Sequence, residues 1–446
     1  MSTCGLILLL RGGLFLSDVL AIDHEPSDTS ARARPQRWWV LFCLIVPFGV
    51  FMTMDKEVLV VLAPAIHDEF AISYLSLSKI LSAVAWGYAI CQIPSGILVD
   101  LCGARLVLAA SCVIWSTIVF VTPFCREPSS LTIARFLLGC VQAPVIAASV
   151  LALRHWFDVR ERATTSAAVI GGTYVGSALG GPLTSFIASQ ARWQTCFFVY
   201  GVLGLLFTMV FLSLYPNFKI IRPVGDGRGK QGLRAANLAI LRKSQFWAIG
   251  MMYFSLVAVE SFFQSLMPIF LNLRWHVSVA NSGWLFAFPW ITLCVSVAVN
   301  GALSDYIAKR WRSIRLARTP LAVCGFLLGT ASLSVALVSQ NFILSIVLLC
   351  VSLFGVGMAQ VSIWSSIQDI GDRTLAFLTG WVQFAGNSAS GFVPIVMMGQ
   401  VHPHSGWGTA AALVVPFGVF GVIMTFFVRP HRKLHQSDGT RARIVN

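Results

Sequence analysis

The feature that most constrains this chain is a succession of long apolar stretches. A helix that crosses the hydrocarbon core of a bilayer needs about 20 apolar residues. Each such segment must satisfy its own backbone hydrogen bonds, so only a helix fits stretches this long. The sequence therefore predicts an all-α membrane protein with twelve transmembrane helices, over residues 38–63, 80–99, 106–124, 131–153, 164–188, 195–214, 246–270, 282–303, 318–338, 341–363, 374–399 and 408–428.

Composition excludes a water-soluble globular protein. Apolar residues make up 57% of the chain and charged residues only 11%, about half the charged share of a soluble domain. The net charge of +14 would suit nucleic acid if the basic residues formed one face. They lie instead in short stretches between apolar segments, so we expect the lipid bilayer as a partner and no nucleic acid. We also expect a monomer.

The distribution of Lys and Arg predicts the orientation. If both termini are cytoplasmic, most of the 32 Lys and Arg residues fall in cytoplasmic segments, for example Arg154, Arg160, Arg162, Lys309 and Arg310. Such an asymmetry follows the rule that cytoplasmic loops are positively charged. The sequence therefore predicts a multi-pass protein of the inner (plasma) membrane with both ends in the cytoplasm.

The longest internal loop is basic and rich in glycine, and it divides six spans from six. The residues before the first span contain an apolar run too short to cross a bilayer or to act as a signal peptide. The predicted organisation is an N-terminal cytoplasmic extension, a six-helix half, a cytoplasmic linker, a second six-helix half and a cytoplasmic tail, over 1–37, 38–214, 215–245, 246–428 and 429–446.

An internal repeat supports two equivalent halves. The loop after span 2 and the loop after span 8 share Gly, Leu, Asp and Arg at a constant offset of 205 residues. We expect each glycine to allow close packing and each arginine to pair with a carboxylate in one conformation only. The alternative is a plain turn with an arginine that sets topology. The predicted conformational latch consists of Gly96, Asp100, Gly103, Arg105, Gly301, Asp305 and Arg310.

These loops resemble the signature loop of the major facilitator superfamily. The wider pattern resembles its anion:cation symporter branch, which includes hexuronate, galactonate and sialic acid carriers. The residues that carry this likeness are Trp86-Gly87-Tyr88 with Gln92-Ile93-Pro94, Arg135 with Gly139, Trp156-Phe157 with Glu161-Arg162, and Gly386-Asn387 with Gly391 and Pro394. The resemblance covers about residues 38–428 and implies two six-helix halves that rock around a central site.

The resemblance also implies roles for individual residues. In that branch span 1 carries Asp-Arg, here Asp55-Lys56, which assigns proton coupling to Asp55 and the substrate carboxylate to Lys56. Span 4 carries an arginine, here Arg135, and a glutamate seven residues later that is replaced by Gln142. This departure puts the usual two-carboxylate coupling in doubt. Our hypothesis is that Glu260 in span 7 supplies the missing carboxylate.

Ionisable residues inside a span are costly, so they predict a functional site. Asp55, Lys56 and Glu57 are consecutive and cannot all share one helix face. We expect Lys56 to face a cavity, Asp55 to face span 4 near Arg135, and Glu57 to lie near the outer end of its span. The alternatives are that span 1 ends earlier with all three solvated, or that Lys56 and Arg135 are only counter-ions to Asp55.

Polar residues at helical spacing extend the predicted cavity. Five amide and phenol side chains are candidate substrate contacts in addition to Lys56, namely Tyr88, Gln92, Gln264, Gln383 and Asn387. The alternative is that they bind neighbouring helices, as amides often do in membrane proteins. Span 5 also carries Gly172, Gly176 and Gly180 on one ridge, which favours close approach of another helix.

We therefore predict a secondary transporter that moves a small organic anion, such as a sugar acid, by alternating access coupled to protons. Antiport efflux of a drug or metabolite, or a sensor without turnover, are the alternatives. An enzyme is the least favoured class, because the sequence has no nucleophile–base pair, phosphate-binding loop or zinc motif. The eleven cysteines form no C-x-x-C pair, so we expect no metal or other cofactor.

Overall fold

The computed structural model describes residues 37–153, 155–157, 161–216, 239–371, 375–401, 406–430 and 434. Nearly all of the predicted N-terminal extension, most of the linker 215–245 and most of the tail 429–446 lie outside these residues. So do Arg154 and Arg160, two of the basic residues that support the predicted orientation.

Twelve long helices run through the described part of the chain. Ten of them are long and apolar enough to cross a membrane, and α5 and α11 have comparable lengths of 29 and 25 residues. The predicted all-α fold is therefore confirmed. The helices are α1 Arg37–Val61, α2 Tyr74–Cys102, α3 Ala104–Val121, α4 Pro128–Leu153, α5 Arg162–Gln190, α6 Trp193–Leu214, α7 Ser244–Ser265, α8 Val279–Trp311, α9 Ile314–Val338, α10 Phe342–Gly371, α11 Leu375–Gly399 and α12 Gly408–Phe427.

Capping residues define several helix ends. The Ser73 hydroxyl accepts a hydrogen bond from the Ser76 backbone N–H at 3.1 Å and begins α2, as serine does at many helix N-termini. Gly103 ends α2 with φ of 78°, a conformation that favours glycine. The predicted latch glycine therefore makes the tight turn between α2 and α3.

Prolines shorten the first helix of each half. We predicted a continuous span over 246–270, but α7 ends at Ser265 and a separate helix Met267–Trp275 begins with Pro268 in its first turn. In the same way, α1 is followed by a short helix Ala63–Phe70 with proline in its first turn. Proline has no backbone N–H to continue the preceding helix, but it fits the start of a new one.

Three helix pairs recur in both halves. In the first half α1 packs on α5, α2 on α4, and α3 on α6. In the second half the equivalent pairs are α7 with α11, α8 with α10, and α9 with α12. The halves contact each other mainly through α2 with α11 and α5 with α8. This arrangement agrees with the internal repeat found in the sequence.

The glycine ridge of α5 brings α1 close to it. A Cβ atom added at Gly176 would lie 2.4 Å from the Val50 carbonyl oxygen, and one added at Gly172 would lie 2.9 Å from the Val46 carbonyl oxygen. The Thr53 hydroxyl then donates a hydrogen bond to the Thr173 carbonyl at 2.8 Å. Close packing of α5 against α1 therefore fixes the position of the helix that carries Asp55, Lys56 and Glu57.

The halves are in tight contact at one end of the bundle, which we call the closed end. A Cβ atom added at Gly283 of α8 would lie 2.1 Å from the Gly181 carbonyl oxygen of α5. The Ser185 hydroxyl accepts a hydrogen bond from the Gly283 N–H at 3.0 Å. The second contact between the halves joins α2 to α11, where the Trp86 indole donates a hydrogen bond to the Gly391 carbonyl at 3.2 Å.

The opposite end, which we call the open end, carries the two repeated loops and is loosely packed. Beyond their own helices, no atom of the described residues lies within 4 Å of a Cβ position at Gly96 or Gly301. Leu101 and Tyr306 nearby are 67% and 65% exposed. In this conformation the expectation that Gly96 packs closely against a neighbour is not met by any helix in the described part of the chain.

Candidate functional site

A polar cavity of about 140 Å³ lies between the two halves, near the middle of the helices. Residues from α1, α2, α4 and α5 line it on one side, and residues from α7, α8 and α11 line it on the other. The lining residues are Thr53, Lys56, Glu57, Val60, Leu81, Val84, Ala85, Arg135, Thr173, Tyr174, Ser177, Glu260, Gln264, Ser265, Trp290, Asn387 and Ser390.

Lys56 lies on the wall of this cavity. Its ammonium group is 4.7 Å from the centroid of the Tyr88 ring on α2, within the range of a cation–π interaction. The ion pairs found among the described residues do not include Lys56. The ammonium group therefore keeps hydrogen-bond donors for an anionic group in the cavity.

Arg135 contributes the second cation to the cavity. Its side chain is buried, and Nη2 donates a hydrogen bond to the Lys56 carbonyl oxygen at 3.1 Å. Its Nε is buried and has no hydrogen-bond partner among the described residues. Arg135 therefore fixes the backbone of α1 and retains a donor that a bound anion could satisfy.

Gln142 is fully buried but is not among the residues that line the cavity. Its amide nitrogen donates a hydrogen bond to the Met52 carbonyl of α1 at 3.2 Å. The resemblance to the symporter branch implies a carboxylate at this position. In this chain the position holds an amide that links α4 to α1 by a hydrogen bond.

Asp55 lies outside the cavity. It is 1% exposed, and neither carboxylate oxygen has a hydrogen-bond partner among the described residues. The indole of Trp115 on α3 lies beside it, and no ion pair among the described residues joins it to Arg135. Asp55 therefore lies beside α3, and it is also near enough to Arg135 of span 4 for the two charges to interact. Asp55 and Lys56 are consecutive residues, so their side chains point about 100° apart around the axis of α1.

Glu57 is the acidic residue that the sequence reasoning missed. We expected it near the outer end of span 1, but it is 4% exposed and lines the cavity. The Ser177 hydroxyl donates to Glu57 Oε1 at 3.1 Å, and Oε2 is buried with no partner among the described residues. Helical spacing is the signal that could have identified it, because Thr53, Lys56, Glu57 and Val60 form one stripe.

Glu260 lines the cavity from the second half. The Gln264 amide donates a hydrogen bond to Glu260 Oε1 at 3.0 Å. The Ser390 hydroxyl of α11 donates in turn to Gln264 Oε1 at 2.9 Å. These two hydrogen bonds, both from neutral donors, orient the Glu260 carboxylate and join α7 to α11.

The remaining predicted substrate contacts divide into two groups. Asn387 lines the cavity, and its amide donates to the Gln383 carbonyl one turn earlier at 2.8 Å. The Tyr88 ring contacts the ammonium group of Lys56, and Tyr88 is not itself among the lining residues. Gln92 and Gln383 are not among the lining residues. Gln92 lies about two helical turns beyond Ala85, the last lining residue of α2, and Gln383 lies about one turn before Asn387. For these two residues, the predicted direct position in the cavity is wrong.

Several lining residues have no distinctive sequence signal. The hydroxyl groups of Thr53, Thr173, Ser177, Ser265 and Ser390 all border the cavity. Small hydroxyl residues are frequent wherever membrane helices pack together, so sequence alone does not separate cavity residues from packing residues. Tyr174 also borders the cavity and contacts Gln360 of α10 in a hydrogen bond between the halves.

The predicted latch residues form other contacts than expected. Arg105 donates from Nη2 to the Leu212 carbonyl of α6 at 2.7 Å, so it binds a backbone oxygen where we expected a carboxylate. Asp100 at the end of α2 is exposed. The ion pairs among the described residues do not include Arg105 in this conformation, and its pairing with a carboxylate, expected in one conformation only, stays a prediction.

In the second half Arg318 takes the position that we expected Arg310 to hold. Arg318 is 3.7 Å from Asp305 and 3.4 Å from Asp369 of α10. It also contacts the Ser304 hydroxyl. Arg310 is exposed at the end of α8, and the ion pairs among the described residues do not include it. Arg318 lies one turn inside α9, from where its side chain reaches the ends of α8 and α10.

Comparison with known proteins gives a consistent family. The sequence model of the Major Facilitator Superfamily matches residues 41–394. The D-galactonate transporter of Escherichia coli O6:H1 is 25% identical over 404 residues, which are 86% of this chain and 93% of that protein. The probable galactarate/D-glucarate transporter GarP of Escherichia coli K12 is 27% identical over 430 residues, which are 90% of this chain and 96% of that protein.

Solved structures give the same fold. A bacterial homolog of the human lysosomal transporter Spinster, crystallised in an inward-facing and unoccupied conformation, superposes with a TM-score of 0.72. The match covers 90% of this chain and 99% of that one at 17% identity. At this identity the likeness supports the arrangement of helices and carries no information about what binds in the cavity.

Proposed function

The chain belongs to the Major Facilitator Superfamily and is a membrane transporter, and from this premise we propose that it carries a small organic anion across the membrane by alternating access. The observation that supports this proposal most is the position of Lys56 and Arg135 on the wall of a buried cavity shared by both halves. Two buried cations attract an anion strongly where water is scarce.

The proposed substrate is a sugar acid or a similar hydroxylated carboxylate. Lys56 binds its carboxylate, and Arg135 adds a second charge-assisted hydrogen bond. The hydroxyl and amide groups of the opposite wall, including Gln264, Asn387 and Ser390, bind its hydroxyl groups. The names of the related galactonate and galactarate/glucarate transporters support this class of substrate.

The proposed cycle alternates between two packings of the halves. With both termini in the cytoplasm, the closed end faces the outside, and the open end with the repeated loops faces the cytoplasm. In this orientation the Gly181–Gly283 contact is the outer closure, and the structure represents an inward-facing state. Release of the contacts at the closed end and approach of the latch loops would give the opposite state.

The proposed coupling ion is the proton. Asp55 and Glu260 are buried carboxylates in the first and the second half, and the charge of Asp55 acts on Arg135 of the cavity wall. A proton that moves together with a monoanion carries no net charge, so the pH difference drives such symport while the membrane potential adds little. In this assignment Gln142 contributes structure, since its amide binds the α1 backbone.

Uptake by reconstituted protein tests the proposal. The purified protein would be placed in liposomes, and uptake of radiolabelled D-galactonate, D-glucuronate and galactarate would be measured with an acidic exterior. We expect accumulation of at least one acid, competition by unlabelled sugar acids and loss of accumulation with a protonophore. Absence of uptake, together with stabilisation of the purified protein by hydrophobic cations in a thermal-shift assay, would favour drug efflux instead.

A further inference from the structure

Two carboxylates, one from each half, face the same small cavity. Glu57 on α1 and Glu260 on α7 are each 4% exposed and both line it. They are close enough for the charge of Glu260 to act on Glu57. Two ionised carboxylates repel each other strongly when little water separates them.

The described contacts of these carboxylates come from neutral groups. Ser177 donates to Glu57, and Gln264 donates to Glu260. No ion pair among the described residues joins either carboxylate to Lys56 or Arg135. The second oxygen of Glu57 is buried without a partner among the described residues, which is a costly arrangement for an ionised group.

The charges around the pair are distributed unequally. The cations that face Glu57 are Lys56 and Arg135, both from the first half. For Glu260, the influences are its burial and the Gln264 amide, with no cation. The other titratable neighbours are the phenols of Tyr174 on α5 and Tyr253 on α7, which interact with Glu260, and that of Tyr200 on α6, which interacts with Glu57. The residues that α8 and α11 contribute to the wall are neutral.

We propose that Glu57 and Glu260 share one proton and so form a coupling site that joins the two halves. One carboxyl group donates its O–H to the other carboxylate, so the pair holds one proton and one negative charge, and no covalent bond to carbon changes. The shared proton replaces repulsion by a hydrogen bond when the halves close around the cavity. Its role in transport rests on the proposed function, in which buried carboxylates carry the coupling proton.

A double-mutant cycle at two pH values tests the pair without any substrate. The melting temperatures of the purified wild type, Glu57→Gln, Glu260→Gln and the double variant would be measured at pH 5 and pH 9. At pH 9 we expect each single substitution to raise the melting temperature by about 2 °C or more, and the second substitution to add little, because the repulsion is already relieved. At pH 5 the effects should be small and additive.

A matched cycle controls for charge removal in general. Glu127 is an exposed carboxylate at the start of α4. It lies about two helical turns before Arg135, the residue of α4 that lines the cavity. The cycle of Glu260→Gln with Glu127→Gln should be additive at both pH values. Additive effects of Glu57→Gln and Glu260→Gln at pH 9 would refute the pair. A fall in melting temperature for both single variants at pH 9 would also refute it, since it would mean that the carboxylates balance Lys56 and Arg135.

Sodium and transport measurements complete the test. Replacing potassium by sodium at pH 9 should leave all four melting temperatures unchanged, and a sodium-dependent rise seen only in the wild type would assign the site to sodium and overturn the shared proton. In liposomes, both single variants should lose the pH-driven accumulation of D-galactonate, while the control variant Glu127→Gln should retain it. If no sugar acid is transported, the proposed function fails, while the thermal cycle still decides whether the pair exists.

Discussion

The first half of the molecule and the second have three helix pairs in common, but the charged groups of the cavity are divided unequally between them. The first half supplies Lys56, Glu57 and Arg135, while the second supplies Glu260 and a set of neutral amides and hydroxyls. The comparison teaches that the repeat preserves the scaffold that moves, while each half carries its own chemistry. An anion held by the cations of one half can still be enclosed by hydrogen bonds from the other.

The loops at the open end show the same difference. In the first half Arg105 binds a backbone carbonyl of α6. In the second half Arg318 joins Asp305 and Asp369 and is only 11% exposed. The second half therefore has a charged network across α8, α9 and α10, whereas its counterpart depends on one hydrogen bond. Four predictions follow from this division of charge, in order of their expected size.

The largest effect should come from removal of the cavity cation. We expect Lys56→Gln to lower the rate of sugar-acid uptake about 100-fold, since a charge-assisted hydrogen bond contributes about 1.5–3 kcal/mol and about 1.4 kcal/mol corresponds to tenfold. Lys56→Arg should retain most uptake. The exposed Lys79 on α2 gives a control, because Lys79→Gln should leave initial uptake rates unchanged. Unimpaired uptake by Lys56→Gln would show that the charges of the first half do not hold the substrate.

The second prediction compares the two arginines at the open end. Arg318→Gln should destabilise the protein by about 2 kcal/mol, because it leaves two carboxylates without their partner in a partly exposed site. Arg105→Gln should cost about 1 kcal/mol or less, since it removes one hydrogen bond to a backbone oxygen. Melting temperatures in detergent at matched ionic strength measure both. Equal losses would remove the proposed asymmetry between the two loops.

The third prediction concerns the amide chain of the second half. Gln264→Leu removes the hydrogen bonds to Glu260 and Ser390, and we expect uptake to fall about tenfold, from the loss of about 1–1.5 kcal/mol. Gln383→Leu on α11 is the matched control, because Gln383 is not among the cavity-lining residues. A loss that is as large for Gln383→Leu as for Gln264→Leu would mean that helix packing, and not the cavity, explains both effects.

The smallest effect should come from removal of the Tyr88 ring, which contacts the ammonium group of Lys56. Tyr88→Leu removes a cation–π interaction of about 0.5–2 kcal/mol, so we expect uptake to fall about fivefold at subsaturating substrate. Tyr88→Phe keeps the ring and should retain uptake. Initial rates over a range of substrate concentrations separate an altered affinity from an altered turnover. Equal losses in both variants would assign the effect to the phenol hydroxyl.

Much of the fold was predictable because hydrophobicity acts over whole helices. The twelve spans, the superfamily and the repeat were read correctly from apolar length and from the spaced glycines and charges, and the comparisons confirm the superfamily. Helix ends were less predictable. Pro268, which ends α7 and begins the helix Met267–Trp275, lies inside an apolar stretch, so hydropathy does not register the break.

The site was only partly predictable because position around a helix depends on packing. The sequence identified Lys56, Arg135, Glu260, Gln264 and Asn387 as candidates, and all five line the cavity. It placed Glu57 near the outer end of its span, whereas Glu57 lines the cavity. It placed Asp55 near Arg135, and the two groups interact without an ion pair among the described residues. Only one residue separates these two acids, and the approach of α5 to α1 decides which of them faces the cavity.

The sequence by itself determined that the chain crosses a membrane as two repeated sets of six helices, since lipid forces every apolar stretch of this length to become a helix. The tertiary structure alone decided which buried charges face each other, because two halves far apart in sequence bring Glu57 and Glu260 to opposite sides of one cavity. Hydrophobic length is a local property of the chain, whereas the distance between two carboxylates depends on how every intervening helix packs.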